Sequence, residues 1–335
     1  IIMGGTFPFQ DPDYQKEFIK RAFDGLNTYK NKEEIEDPDD FEGADSLQEA
    51  KDINETADVR NVGVTFETRP DIAETKHIDR ILEMGGTRVE MGVQTVFDET
   101  HEITNRGHGM EPVIEATKRL KNAGFKVAYH LMLGLPGEGY EEDIEKFKET
   151  FSNADYQPDE VKIYPCEVIQ GTELYRQYEE GDFEPIDDDE AKERLKEILR
   201  DHIPPHVRVK RVMRDIPSTE VDAGPQLTNM RQMALQELWE DGERSRNIRA
   251  REVGHVKRNH DLEPQEENIE LVERDYEASG GHEYFASFED TENDIILGFS
   301  RLRTTPESFR PEIDEDTLIV RQLKVMGSAT DIGAE

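Results

Sequence analysis

The sequence predicts an α/β protein of two unlike parts. Residues 1–205 form a parallel sheet covered by helices, residues 206–265 a basic linker, and residues 266–335 the start of an antiparallel unit. Three observations lead there. Strand-like and helix-like stretches alternate through the first 205 residues, as a parallel sheet with crossover helices requires. The local charge then changes sign. Beyond that, turn residues separate four runs of strand-like sequence with no helical stretch between them.

The elements follow in order. Ile1-Ile2-Met3-Gly4-Gly5-Thr6-Phe7 reads as a strand running into a Gly-Gly turn. Further strands are predicted over 62–68, 88–95, 126–134 and 161–169, and helices over 14–26, 46–57, 76–84, 111–123, 141–151 and 188–202. Gly85-Gly86 and Gly124 stand just after helices, where a C-terminal cap belongs. Such an alternation closes either as a doubly wound sheet or as a barrel. The acidic runs 37–40 and 187–190 read as solvated loop or helix-start residues. Segment 206–260 holds eleven basic against eight acidic side chains, a net +3 in a chain of formal charge -36. The antiparallel runs are 268–277, 283–289, 295–302 and 318–326. Both ends read as cuts inside folded domains.

Composition narrows the class. The 335 residues suggest about two domains. Hydrophobic residues make up only 34% and the charge is high, the usual direction of disorder, but their regular grouping argues for folded elements. No run approaches the ~20 apolar residues of a membrane span, and no cleavable signal peptide is visible, so a cytoplasmic protein is expected. One cysteine, Cys166, excludes a disulfide framework and any multi-thiolate metal site built from these residues alone. The acidity disfavours nucleic acid at first sight. It equally describes the surface of a protein from a salt-loving organism, where ~3 M salt shortens the Debye length to a few ångströms.

Alternation along a strand locates the chemistry. Arg88, Glu90, Gly92 and Gln94 share one face of their strand, opposite Val89, Met91 and Val93. Gly63, Thr65 and Glu67 share a face, as do Lys162 and Tyr164. Several strands thus aim polar groups inward, which a purely structural core avoids because unpaired buried polar groups are costly; a ligand cavity is expected. Gly4-Gly5 lets backbone approach a small ligand closely, or makes an ordinary turn. Leu133-Gly134-Leu135-Pro136-Gly137 is open to the same two readings, and His130 alone reads as a hydrogen-bonded core histidine. Neither a P-loop nor a G-x-G-x-x-G follows a strand.

Taken together the motifs are specific. Met3-Gly4-Gly5-Thr6-Phe7-Pro8, Asn54-Glu55, Glu67-Thr68-Arg69-Pro70-Asp71, Arg88 to Thr95, Thr104-Asn105-Arg106-Gly107-His108, Leu133 to Gly137, Lys162-Ile163-Tyr164-Pro165 and Gly171-Thr172-Glu173-Leu174-Tyr175 resemble the radical S-adenosylmethionine domain of the Elongator catalytic subunit. Arg214-Asp215-Ile216-Pro217, Asn229-Met230-Arg231 and Arg249-Ala250-Arg251-Glu252-Val253-Gly254 resemble its linker. Glu273-Arg274-Asp275-Tyr276 and Gly298 to Arg303 resemble the opening of its acetyltransferase domain. The resemblance runs through nearly the whole chain in order.

It implies a partial (βα) radical SAM barrel, a linker and the first strands of a GNAT-like α+β domain. The implied activity is that of a tRNA uridine(34) acetyltransferase using S-adenosylmethionine and acetyl-CoA, in which a [4Fe–4S] cluster on three cysteines cleaves S-adenosylmethionine and the resulting radical activates the acetyl methyl group. By position, Gly4, Gly5 and Thr6 match the motif that holds the methionyl amino group. Glu67, Arg69, Glu90 and Gln94 match inward barrel positions, and Lys162 and Tyr164 the last-strand motif. Gln322, Leu323, Lys324 and Val325, with Met326 beyond, match the strand that flanks the acetyl-CoA thioester. The tRNA-binding residues expected from the basic segment are Arg208, Lys210, Arg211, Arg214, Arg244, Arg246, Arg249, Arg251, Lys257 and Arg258; the competing expectation is that they pair with neighbouring carboxylates. The sequence departs from the family pattern in having no cysteine before Cys166 and no glycine-rich acetyl-CoA loop, so no metal ligand is expected and this stretch by itself should lack radical activity. Elongator-like partner subunits and a halophilic archaeal source are further implications. A protein lysine acetyltransferase and a non-catalytic tRNA-binding scaffold are the alternatives.

Overall fold

The computed structural model describes residues 1–29, 43–213 and 218–327. Arg214 and the run 37–40 lie outside them. The first sheet holds five parallel strands in the order of the chain: β1 (Val64–Thr68), β2 (Gly86–Gln94), β3 (Lys126–Leu133), β4 (Glu160–Pro165) and β5 (Arg208–Val212). Helices α1 (Pro12–Asn27) and α2 (Leu47–Asn54) precede β1, and α3 (Thr75–Glu83), α4 (Asp98–Ile103), α5 (Met110–Asn122), α6 (Tyr140–Ser152), α7 (Glu173–Glu180) and α8 (Asp188–Glu197) occupy the connections. This is an open half-barrel, in keeping with the barrel alternative.

Its convex face is apolar and dry. Phe66, Val89, Met91, Val93, Val127, Leu131, Leu133, Val161 and Ile163 are fully buried against helix residues such as Ile78, Ile81, Val113, Leu120, Phe147 and Leu195. Each such side chain contributes about 1.5–3 kcal/mol of burial. The concave face carries the polar set. Strand parity therefore sorted the side chains as the alternation in β2 predicts.

Two expectations change. Residues 1–7 do not extend as a strand; only Ile2 bridges Phe66, because Gly4 and Gly5 turn the chain at φ +92° and +60° and Phe7–Phe9 coil into a 3-10 turn. The basic linker, conversely, supplies a sheet strand. Arg208-Val209-Lys210-Arg211-Val212 pairs with β4, burying Val209 and Val212 while the cationic side chains reach carboxylates. After it come helices α9 (Met230–Glu240), α10 (Ile248–Arg251) and α11 (Val253–His260).

The second sheet is antiparallel, in order β6 (Ile269–Ala278), β7 (Gly281–Asp290), β8 (Ile295–Thr304) and β9 (Ile319–Val325). A buried ionic knot fastens it to the half-barrel. Arg321 of β9 meets Asp159, just before β4, at 2.6 Å and Glu283 of β7 at 2.7 Å. Arg303 of β8 reaches Glu283 at 3.0 Å, Arg301 reaches Asp159 at 3.3 Å, and Lys121 of α5 lies 3.4 Å from Glu283. His206 stacks on Tyr276 at 4.1 Å beside the knot, and burial pushes its imidazole down to about 3.

Candidate active site

The concave face gathers its side chains around Glu90, which is fully buried in the middle of β2. His130 Nε2, from the neighbouring β3, lies 3.1 Å from one carboxylate oxygen, and Lys210 of β5 donates to the other at 2.5 Å. Lys162 of β4 also pairs with Glu90 and donates to Glu67 of β1 at 3.1 Å. Burial raises the Glu90 carboxyl, but the His130 hydrogen bond and the Lys210 and Lys162 ammonium groups outweigh it and hold the group well below the usual carboxylate range. Lys162 loses by burial and gains more from Glu90, so it stays charged. A second bridge closes the wall below, where Arg88 meets Glu160 at 2.9 Å and donates to Thr65 at 3.2 Å. Tyr164 stands edge-on to His130 at 5.4 Å, its hydroxyl pushed up by burial.

Glu67, Glu90 and His130 offer ligand atoms close enough together for a metal ion. The Lys162 ammonium already bonds both carboxylates, so positive charge occupies the place a cation would take. The wall is a charge-alternating surface suited to a zwitterionic ligand.

Its upper rim is made by strand ends. Gln94 closes β2 at φ +72°, after a register irregularity that carries it past Gly92, and its Oε1 is buried without a partner. Arg106 donates to the Gly92 carbonyl at 2.7 Å while its Nε is likewise buried and unpartnered. A Cβ at position 92 would come within 2.5 Å of the Arg106 guanidinium and push it from its present place. Arg69 is turned aside into a two-pronged bond with Asp71, 2.9 Å at each contact. Gly4 and Gly5 border β1 through the Ile2 bridge, with open space beside both, and Thr6 opens the following turn without capping it. The Leu133–Gly137 turn is pinned from behind: Gly134, at φ +66°, donates to Asp143 at 2.9 Å, and Asp143 joins a buried chain with Lys146 and Arg194.

The expected RNA-facing cations divide. Three are held by carboxylates, two of them half-buried and one buried. Lys210 belongs to the wall, Arg208 pairs with Glu252, and Arg251 is buried between Glu289 and Asp294. Lys257 pairs with Glu263, and Arg246 lies 3.5 Å from Asp294, both at the surface. Arg211 lies half-buried at the end of β5. Arg244, Arg249 and Arg258 reach no carboxylate among the described residues. On β9, Lys324 turns back to Glu252 at 2.7 Å, whereas Leu323 and Val325 are exposed and Gln322 opposes Arg301 across the ladder.

Residues 1–150 match the radical SAM superfamily and residues 158–240 the radical SAM C-terminal domain. The chain is 46% identical over 327 residues to a tRNA uridine(34) acetyltransferase of Methanocaldococcus infernus, covering 98% of this chain and 59% of that protein. It is 39% identical to Elongator complex protein 3 of Dictyostelium discoideum, with 99% and 57% covered. The solved structure of the archaeal M. infernus Elp3 with N-terminus deletion (1-46) superposes with a TM-score of 0.91 at 46% identity, over 97% of this chain and 73% of that one.

This chain belongs to the Elongator complex protein 3 family. It spans under three-fifths of the length of these curated relatives. Radical SAM families in general use S-adenosylmethionine and a [4Fe–4S] cluster. Among these 335 residues the thiolates for a cluster are not found: Cys166 is the single cysteine, buried, its thiol pushed up to about 12 by burial. The wall does fit S-adenosylmethionine, with unpartnered Gln94 and Arg106 atoms at its rim. Sequence reasoning placed Arg88 on the inward face but missed His130, Glu160 and Lys210 as members of the wall and Arg106 at its rim. For His130 the signal was available, since it stands at the same parity as Ala128 and Met132, opposite the apolar Tyr129 and Leu131.

Proposed function

We propose that this chain is the S-adenosylmethionine-binding and RNA-docking part of a tRNA wobble-uridine acetyltransferase of the Elongator kind. The observation that carries the reading is the buried Glu90 with His130, Lys162 and Lys210 converging on it from three neighbouring strands. S-adenosylmethionine is cationic at sulfur and at its amino group and anionic at its carboxylate, so it calls for anions and cations side by side. Glu67, half-buried at the edge of the wall, supplies the first and Arg106 the second, while Lys162 and Lys210 bond the fully buried Glu90 behind it. Gly4, Gly5 and Thr6 border the same face and would receive the methionyl end by backbone contact. Bound there, S-adenosylmethionine is the radical source that the family's chemistry draws on.

Acetyl-CoA is assigned to β9, at the sheet edge where strand N–H groups have no neighbouring strand among the described residues. tRNA is assigned to the 206–265 segment. The excess of acidic residues elsewhere suits the salt-rich cytoplasm of a halophile, and Elongator-like subunits are the partners inferred from the family. The test is calorimetric titration of S-adenosylmethionine into the wild-type chain and into Glu90→Gln and Gln94→Ala. A tenfold or greater loss of affinity in variants with a native circular dichroism spectrum is expected; unchanged affinity in both sinks the assignment.

A further inference from the structure

A cleft of ≈ 980 Å³ opens between α9 and α11, lined among others by Arg231, Arg244, Arg249, Arg258, Trp239 and His260. Elsewhere in this acidic chain arginines find carboxylates, as Arg194 does with Asp143 and Arg274 with Glu289. Here they do not. Among the described residues Arg231 donates only to the Lys210 carbonyl at 3.1 Å. Arg244 donates to the Glu243 carbonyl and lies 3.4 Å over the Trp239 ring. Arg258 reaches His255 Nδ1 at 2.6 Å, and among the described residues the Arg249 guanidinium has no hydrogen-bonded partner. Burial pushes the Arg231 guanidinium down to about 10, and the charges of Arg249 and Arg208 push the same way.

Of the carboxylates in the lining, Glu243 is bonded to Arg200 and Asp294 to Arg251, and Glu240 and Asp261 are exposed, so these four guanidinium groups bond none of them and repel one another, and an entering anion relieves that repulsion. Guanidinium forks match phosphate oxygens two at a time. The cleft is large for one phosphate group and falls at the upper end of ordinary ligand pockets. At its side Trp239 packs with Arg244 and with His260, each at 3.4 Å, a guanidinium–aromatic stack of the kind found along single-strand nucleic-acid surfaces. The cleft also backs onto the candidate active site through a single strand. Val209 of β5 lines it, and the next residue, Lys210, gives its carbonyl to Arg231 and its ammonium to Glu90. A polyanionic strand lying here would run alongside the wall.

We propose that this cleft is a phosphodiester clamp, in which Arg231, Arg249 and Arg258 hold neighbouring phosphates of an RNA strand beside the Trp239–His260 stack. The clamp rests on the tRNA reading above and adds the residues that grip the strand.

The experiment measures binding of a transcribed tRNA with uridine at the wobble position to the full chain across a salt series. Each phosphate contact contributes about 0.7–0.9 to the slope of log affinity against log salt. Arg249→Gln should flatten the slope by about one contact and Arg249→Gln/Arg258→Gln by about two, for any tRNA sequence. Arg249→Lys, which keeps the charge, should retain the wild-type slope. Wild-type slopes in both glutamine variants overturn the clamp while leaving the tRNA reading standing. Absence of salt-dependent binding by the wild-type chain overturns both. Loss of acetyl-CoA binding in Arg249→Gln with the RNA slope unchanged would assign the cleft to the coenzyme's phosphates and overturn the clamp.

Discussion

Replacing Asp159 by asparagine tests the joint between the two sheets. Its carboxylate accepts from Arg321 at 2.6 and 2.7 Å and from the Val127 N–H at 2.8 Å, with Arg301 at 3.3 Å and Lys121 at 3.6 Å. Asparagine keeps the shape but turns one oxygen into an N–H₂ that faces donors, and it removes the charge. Two charge-assisted hydrogen bonds at about 1.5–3 kcal/mol each sum to about 3–6 kcal/mol, and the about 3–5 kcal/mol lost when one partner of a buried ion pair is removed sets the expected loss. At roughly 2 °C per kcal/mol for a long chain, Tm should fall by about 6–10 °C. Differential scanning calorimetry of Asp159→Asn, Arg321→Met and the double variant gives both the loss and the coupling. A fall of less than about 1 kcal/mol, or additive single losses, would refute the reasoning, since groups in one network should couple by about 0.5–3 kcal/mol.

Other outcomes follow from the same geometry. Burial pushes Lys121 down to about 8, below its unfolded value, so the unfolded chain binds the extra proton between about pH 8 and 10 and stability rises with pH across that window; Lys121→Met should lack that rise in denaturant melts, and an equal rise in both proteins would contradict it. Asp187 caps α8, accepting from the Glu190 N–H at 2.8 Å while Glu190 returns a bond at 3.0 Å; Asp187→Ala should cost about 1 kcal/mol in urea unfolding. Cys166, buried with its thiol pushed up to about 12, should resist maleimide at pH 7 until the chain unfolds; labelling of the native chain at the rate of a free thiol would show the pocket to be open.

What was legible in the sequence was whatever period and punctuation encode. The parallel sheet followed from alternation, its barrel form from the family resemblance, and the inward set Glu67, Glu90 and Lys162 from strand parity. Strand β5 was not legible, because a run such as Arg208-Val209-Lys210-Arg211-Val212 resembles a solvated basic stretch unless Glu90 and Glu252 are known to face it. The ionic knot escaped for the same reason. Arg301, Arg303 and Arg321 sit on strands where a charge ordinarily marks the wet face, and their partners Asp159 and Glu283 are far away in the chain. Gln94 shows a local limit, since the irregularity after Met91 breaks the count of two on which parity depends.

The knot also sets how the molecule answers to its medium. Net repulsion among the exposed acidic groups is a surface property, weakened by every added salt ion. The pairs among Asp159, Glu283 and Arg321 have no solvent between them and are screened far less. Diluting the salt therefore strains the periphery first, and the seam between the sheets is the last place to feel the change.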